Sequence, residues 1–168
     1  LEAQIASISD DIAYNSHDLE DGLKSNLFKL EDLYSIPVLK NIVLKHKKKM
    51  KLFSTDLVVR QIVREIINEM VKDIIDTTQK NIKKYKLKNL NDVYKTRYPI
   101  VMFSKKMKSF DKKVKKFLKN RMYYHKSVKR NTNEGKIIIN KLFFCIKKNP
   151  KKYLNVSKYS KSNNVRSI

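Results

Sequence analysis

The sequence predicts an all-α fold. Apolar residues recur at spacings of three, four and seven in at least four segments, the signature of helices with one buried face. Only two Gly and three Pro occur in 168 residues, too few for a sheet protein full of tight turns. Residues suited to helix caps also stand where the apolar patterns begin and end. The length is that of one ordinary domain, enough to bury a core.

The elements follow in order. Leu1, Ile5, Ile8, Ile12, Leu19 and Leu23 mark a first helix, with Gly22 near its end. Leu27 to Tyr34 reads as a turn or short helix. A second helix runs from Pro37, suited to a first helical turn, to the lysines 47–49. Ser54-Thr55-Asp56 is an N-cap cluster for the longest helix, Leu57 to Lys80, with Val59, Ile62, Val63, Ile66, Ile67, Met70, Ile74 and Ile75 on its apolar face. Lys86 to Met102 is irregular, with Pro99 as a breaker. Ser104 caps a further helix through Met107, Phe110, Val114, Phe117, Leu118 and Met122 to His125. Asn131 to Lys148 is the last helix. The Lys-, Ser- and Asn-rich stretch after Pro150 has the composition of a disordered tail. No internal repeat is visible.

The formal net charge is +23. Lysine supplies 33 of the 39 basic residues, and Asn and Ile are abundant too, which points to an AT-rich coding sequence and solvated lysine faces before it points to selected nucleic-acid binding. The charge is uneven: residues 1–35 balance to −6 and the remainder to +29. Metal chemistry in the acidic part and anion attraction in the basic part fit that division. No apolar run reaches the ~18 residues of a membrane span, and the start has no secretory signature. Cys145, the single cysteine, follows Leu142, Phe143 and Phe144 and is expected to be a packed thiol. These features fit a cytoplasmic protein. Leu1 stands where an initiator Met would, so a piece of a longer chain is expected.

The stretch Asp10-Asp11-Ile12-Ala13-Tyr14-Asn15-Ser16-His17-Asp18 carries most of the chemistry. Asp10, Tyr14 and Asp18 are spaced by four and fall within about 80° of arc on a helix. Composition leaves two readings level: a solvated acidic surface, the usual case, and a ligand-facing site with a tyrosine between two carboxylates.

This stretch, with Leu1-Glu2-Ala3-Gln4 before it and Leu19-Glu20-Asp21-Gly22-Leu23 after it, resembles the signature of bacterial dGTPase-like proteins of the HD superfamily. Val101-Met102-Phe103-Ser104 and Lys115-Lys116-Phe117-Leu118-Lys119-Asn120-Arg121-Met122-Tyr123-Tyr124-His125 resemble a later block of that family. Arg64-Glu65-Ile66-Ile67 with Met70-Val71-Lys72-Asp73 lies between. The resemblance covers residues 1–148 and keeps the family's order. It implies that 1–35 is the C-terminal end of an HD catalytic domain, 36–150 the family's C-terminal helical region, and 151–168 a basic tail.

The resemblance implies hydrolysis of deoxynucleoside triphosphates to deoxynucleoside and tripolyphosphate, with a divalent ion such as Mg or Mn. Asp10 matches the last metal-ligating aspartate. Tyr14 matches a tyrosine beside sugar and phosphates, Asp18 an aspartate that bonds the deoxyribose 3′-hydroxyl, and Tyr123 a tyrosine packed against the sugar. Lys115 falls where the family places a phosphate contact. Arg121 and His125 belong to the later motif, with roles that vary. His17-Asp18 spells the superfamily's doublet but is not its counterpart, which lies upstream with another His. His46, in a lysine run, reads as a solvated residue. With one of four metal ligands, the site is incomplete and the piece is expected to be inactive alone. A homo-oligomer and single-stranded nucleic acid are further partners compatible with the family; a membrane is not. A basic helical nucleic-acid-binding protein and a decayed gene product without activity are the alternatives.

Overall fold

The computed structural model describes residues 1–46 and 53–153, and every described element is a helix or a turn. The order is α1 (Glu2–Lys24), a 3-10 helix (Leu30–Ser35), α2 (Pro37–His46), α3 (Thr55–Lys84), α4 (Leu90–Lys95), α5 (Lys105–Leu118), a π-helical turn (Lys119–Tyr123), α6 (Lys126–Lys148) and α7 (Pro150–Tyr153). The chain divides into two compact units, Leu1–Tyr123 and Tyr124–Ile168.

In the first unit α1 packs on α3 and α5, and α2 packs on α3 and the 3-10 helix. The core is built from the predicted stripes: Ile12 and Leu19 of α1, Leu39, Ile42 and Val43 of α2, Val59, Ile62, Val63, Ile66 and Met70 of α3, and Phe110, Val114 and Leu118 of α5. Two details of α3 differ from the pattern. Val58 is buried although it sits outside the expected stripe, and Ile75 is about half exposed. Burial on α3 stops at Met70, so the last four turns or so bury no apolar residue. Ser54 is the N-cap, but its side chain makes no capping bond.

The loop before α5 is more ordered than its composition indicated. Gln4 Oε1 accepts from both Ile100 N and Val101 N at 3.0 Å, and Asn81 Nδ2 donates to the Ile100 carbonyl at 2.8 Å. Asp73 accepts from Ser104 N at 2.8 Å and Ser104 Oγ at 2.6 Å, while Ser104 Oγ caps Met107 N at 3.2 Å. Side chains of α1 and α3 thus satisfy the backbone of 100–104 and fix where α5 starts. Within the span expected to be irregular, Asn89 and Asp92 form a reciprocal capping box that nucleates α4.

His46 is a correction. It is 6 % exposed, not solvated, and its Nε2 lies 2.6 Å from Glu65 Oε2 on α3. Lys45 Nζ holds Oε1 of the same carboxylate at 2.6 Å. The Lys45 ammonium, with His46 beside it, holds the Glu65 carboxyl below its ordinary range against the opposing effect of burial. A partner nineteen residues away leaves no local trace in the sequence.

The expected helix 104–125 changes character after Leu118, where the π-helical turn begins. In the second unit α6 starts at Lys126, ahead of the expected Asn131, and buries no residue. Ile138, Ile139 and Leu142 are each more than half exposed. Cys145 is likewise exposed rather than packed; its Sγ lies 3.6 Å from Tyr153 Oη. Pro150–Tyr153 is helical. The expected lysine-run end of α2 and the expected tail beyond Tyr153 lie outside the described residues. Among the described residues no helix is long and apolar enough to cross a membrane.

Two predictions test this packing. A Cβ at Gly22 would overlap the ring of Phe28, which is buried and held edge-on to Phe117 at 4.9 Å between centroids. Gly22→Ala is therefore expected to destabilise by about 1–3 kcal/mol through overpacking, despite the ~1 kcal/mol that Ala gains over Gly in a helix; urea unfolding reads the sign. Glu65, with its folded pKa depressed, contributes stability present above the unfolded value of about 4.3 and lost as pH falls through the folded value. Glu65→Gln is expected to cost about 1–2 kcal/mol at pH near 7, with the gap to wild type closing in acid; urea midpoints across pH measure it.

Candidate functional site

The site residues lie along one edge of the first unit, where α1 meets α5. α1 turns Ile12, Asn15, Ser16, Leu19 and Gly22 inward. That rotation leaves Asp10, Tyr14 and His17 in solvent, with Tyr14 72 % exposed, and sets Asp18 at the boundary. The three residues expected on one helical face do share the outward side of α1.

Tyr123 and Asp18, 105 residues apart, are joined by a hydrogen bond from Tyr123 Oη to Asp18 Oδ2. Partial burial and then the neighbouring Asp18 carboxylate push the Tyr123 phenol up to about 12, so it stays a protonated donor at neutral pH. The π-helical turn bears on this placement. An unbroken α-helix would set Lys115 and Tyr123 about 80° apart. A π turn winds at roughly 80° per residue, which brings the tyrosine toward the lysine's side of the helix. Arg121 is held elsewhere, 3.3 Å from Asp32 of the 3-10 helix.

Two helical turns before Tyr123, Lys115 Nζ makes ion pairs with Asp111 at 3.1 Å and Asp11 at 3.2 Å. The carboxylate it meets on α1 is Asp11, the neighbour of Asp10. Burial lowers the Lys115 pKa, but the bonds to Asp111 and Asp11 outweigh it and the net shift is upward. Asp111 is buried and also accepts from Asn15 Nδ2 at 2.8 Å. A cleft of about 580 Å³ opens beside these groups, lined by Gln4, Ser7, Asp11, Lys108 and Lys115 among others. The sequence reading missed Asn15, Asp11 and Asp111. Only the spacing of four from Asp111 to Lys115 carried a signal.

Asp10 is exposed, and among the described residues no three His, Cys, Asp or Glu side chains converge as a metal site. A divalent ion needs several convergent ligands, so the described residues alone do not fit one. His125 belongs to the second unit, where Nδ1 lies 2.7 Å from Ser127 Oγ.

Residues 101–164 match the family model of the phosphohydrolase-associated domain. A deoxyguanosinetriphosphate triphosphohydrolase-like protein of Pelagibacter ubique is 46 % identical over 155 residues, covering 92 % of this chain and 42 % of its own. Like-named proteins of Neorickettsia sennetsu and Bartonella tribocorum are 36 % and 37 % identical, over 85 % and 89 % of this chain and 37 % and 38 % of theirs. The chain belongs to the dGTPase-like family. It spans about two fifths of the length of these relatives. With 92 % of this chain matched to the Pelagibacter ubique relative, both partners of the Asp18–Tyr123 contact lie in the shared part.

The phenol gives the site a spectroscopic handle. Tyr123 should ionise as a trailing component toward pH 12, beyond the ordinary phenol value of about 10. In Asp18→Asn the trailing component is expected to move down, retaining only the part that burial causes. Ultraviolet phenolate titration of wild type, Asp18→Asn and Tyr123→Phe measures it, the last variant identifying the component.

Proposed function

We propose that this chain carries the sugar- and phosphate-reading side of a metal-dependent deoxynucleoside triphosphate triphosphohydrolase. The observation that supports it most is the Asp18–Tyr123 hydrogen bond, set beside a lysine that faces a cleft. Asp11 and Asp18 are seven residues apart on α1, about 10 Å along the axis. Lys115 and Tyr123 meet them in the same order. A deoxyribose with its triphosphate spans such a distance, with the sugar at the Asp18 end and phosphate at the Lys115 end.

In this reading Asp18 Oδ2 is held by Tyr123, and Oδ1 accepts from the sugar's 3′-hydroxyl. The tyrosine ring, fixed by that bond, packs near C2′ and resists a 2′-hydroxyl. Tyr14, exposed on the same side of α1, lies along the sugar and phosphates. The Lys115 ammonium neutralises phosphate charge by charge-assisted contact. These groups orient substrate. Asp10 would supply one ligand to a divalent ion, with no second or third ligand converging on it among the described residues.

The chain alone is therefore expected to release no tripolyphosphate from dNTPs above the uncatalysed rate. Release abolished by Asp10→Ala would overturn this. In an enzyme of the relatives' length, Asp10→Ala should remove bound metal and activity together, whereas Asp18→Asn should retain metal and weaken deoxynucleotide use by about ten- to a hundredfold, the value of a hydrogen bond to a charged group. Metal analysis and steady-state kinetics on the two variants separate these roles.

A further inference from the structure

Lysine is a flexible point charge on a long stem, and an unrestrained one meets an anion with little directional preference. Lys115 is restrained from two sides, and the two are unlike. The Asp11 carboxylate is 56 % exposed, while that of Asp111 is 10 % exposed. Burying a carboxylate is costly unless its oxygens are all engaged, and the structure engages both: Oδ1 takes the Asn15 amide at 2.8 Å and Oδ2 takes the Lys115 ammonium at 3.1 Å. Asn15 is itself 6 % exposed. The series Asn15–Asp111–Lys115 thus runs from the buried face of α1, through α5, to the cleft, buried at one end and exposed at the other.

We propose that Asp111 and Asn15 are positioning residues for Lys115: Asn15 fixes the Asp111 carboxylate, which aims the ammonium into the cleft, and solvent-facing Asp11 is the partner that an incoming phosphate replaces. The inference rests on the reading of Lys115 as a phosphate contact, which it extends to the groups behind it. Charge alone argues the opposite effect, since deleting a carboxylate near an anion site should tighten anion binding. The sign of the effect therefore separates positioning from charge.

The test is binding of inorganic tripolyphosphate to the 168-residue chain by calorimetry, in about 0.15 M salt to screen the diffuse surface charge. Nitrogen-15 resonances of the Lys115 ammonium are followed with pH alongside. Lys115→Gln tests the underlying reading and should weaken binding. Asp111→Asn keeps an acceptor for Asn15 but turns an amide donor toward the ammonium. It should weaken binding about fivefold, the factor one ordinary hydrogen bond is worth, and lower the Lys115 titration midpoint. Asn15→Ala, which loosens only Oδ1, should act in the same direction and serves where Asp111→Asn fails to fold. Loss in Lys115→Gln with equal or tighter binding in Asp111→Asn overturns the positioning role and leaves the phosphate contact standing. No loss in Lys115→Gln overturns both.

Discussion

The placement of α5 against α1 depends on how the backbone of residues 100–104 is satisfied. Gln4 from the start of α1, with Asn81 and Asp73 from α3, supplies the partners that a loop in this position otherwise takes from water. Apolar burial holds the three helices together, but it is non-directional. Hydrogen bonds of fixed geometry decide at which point along α1 the fifth helix begins. From there Asp111, Lys115 and Tyr123 reach their partners on α1 without further adjustment.

The same edge joins two kinds of interaction with different tasks. Ile12, Leu19, Val114 and Leu118 lie in the apolar seam, which tolerates substitutions of similar volume. The polar contacts beside it, Asn15 with Asp111 and Asp18 with Tyr123, are few and specific. They are well matched to a site because the seam keeps their backbones still, while the cleft beside Lys115 keeps one side open to a ligand. In the second unit α6 buries none of its residues, and Ile138, Ile139 and Leu142 are exposed.

Much of the helical pattern was legible in sequence because burial writes itself as periodicity. The stripes of α1, α3 and α5 were readable from Ile12, Ile62 and Phe110 onward, and the Ser104 cap from one residue type in one place. What escaped were contacts whose halves are far apart. His46 looked like part of a lysine run because Glu65, which draws it inward, lies on another helix. Cys145 looked packed because Phe143 and Phe144 are apolar, yet composition does not say whether anything faces them. The short α4 was hidden by reading 86–102 as irregular with Pro99 as a breaker, when Asn89 and Asp92 already spelled a capping box. Among the site residues, the common face of Asp10, Tyr14 and Asp18 followed from spacing. The approach of Tyr123 was reachable only through family resemblance, and Asp111 stayed unseen because a lone acid among lysines reads as surface.

The π-helical turn at Lys119–Tyr123 works as a phase correction in the segment that carries two of the site residues. Ordinary helix of the same length would turn the aromatic ring from its present bearing by about 20° for each residue of the widened turn, about 100° in all. Removing one residue and letting the turn relax into ordinary helix would restore that bearing, because one α-helical step is also about 100°. The widened turn thus holds one residue more than ordinary helix needs, while Lys115 and Tyr123 both still reach carboxylates of α1. Over evolution such a segment should lose a residue more readily than it gains one, since the slack is already taken up.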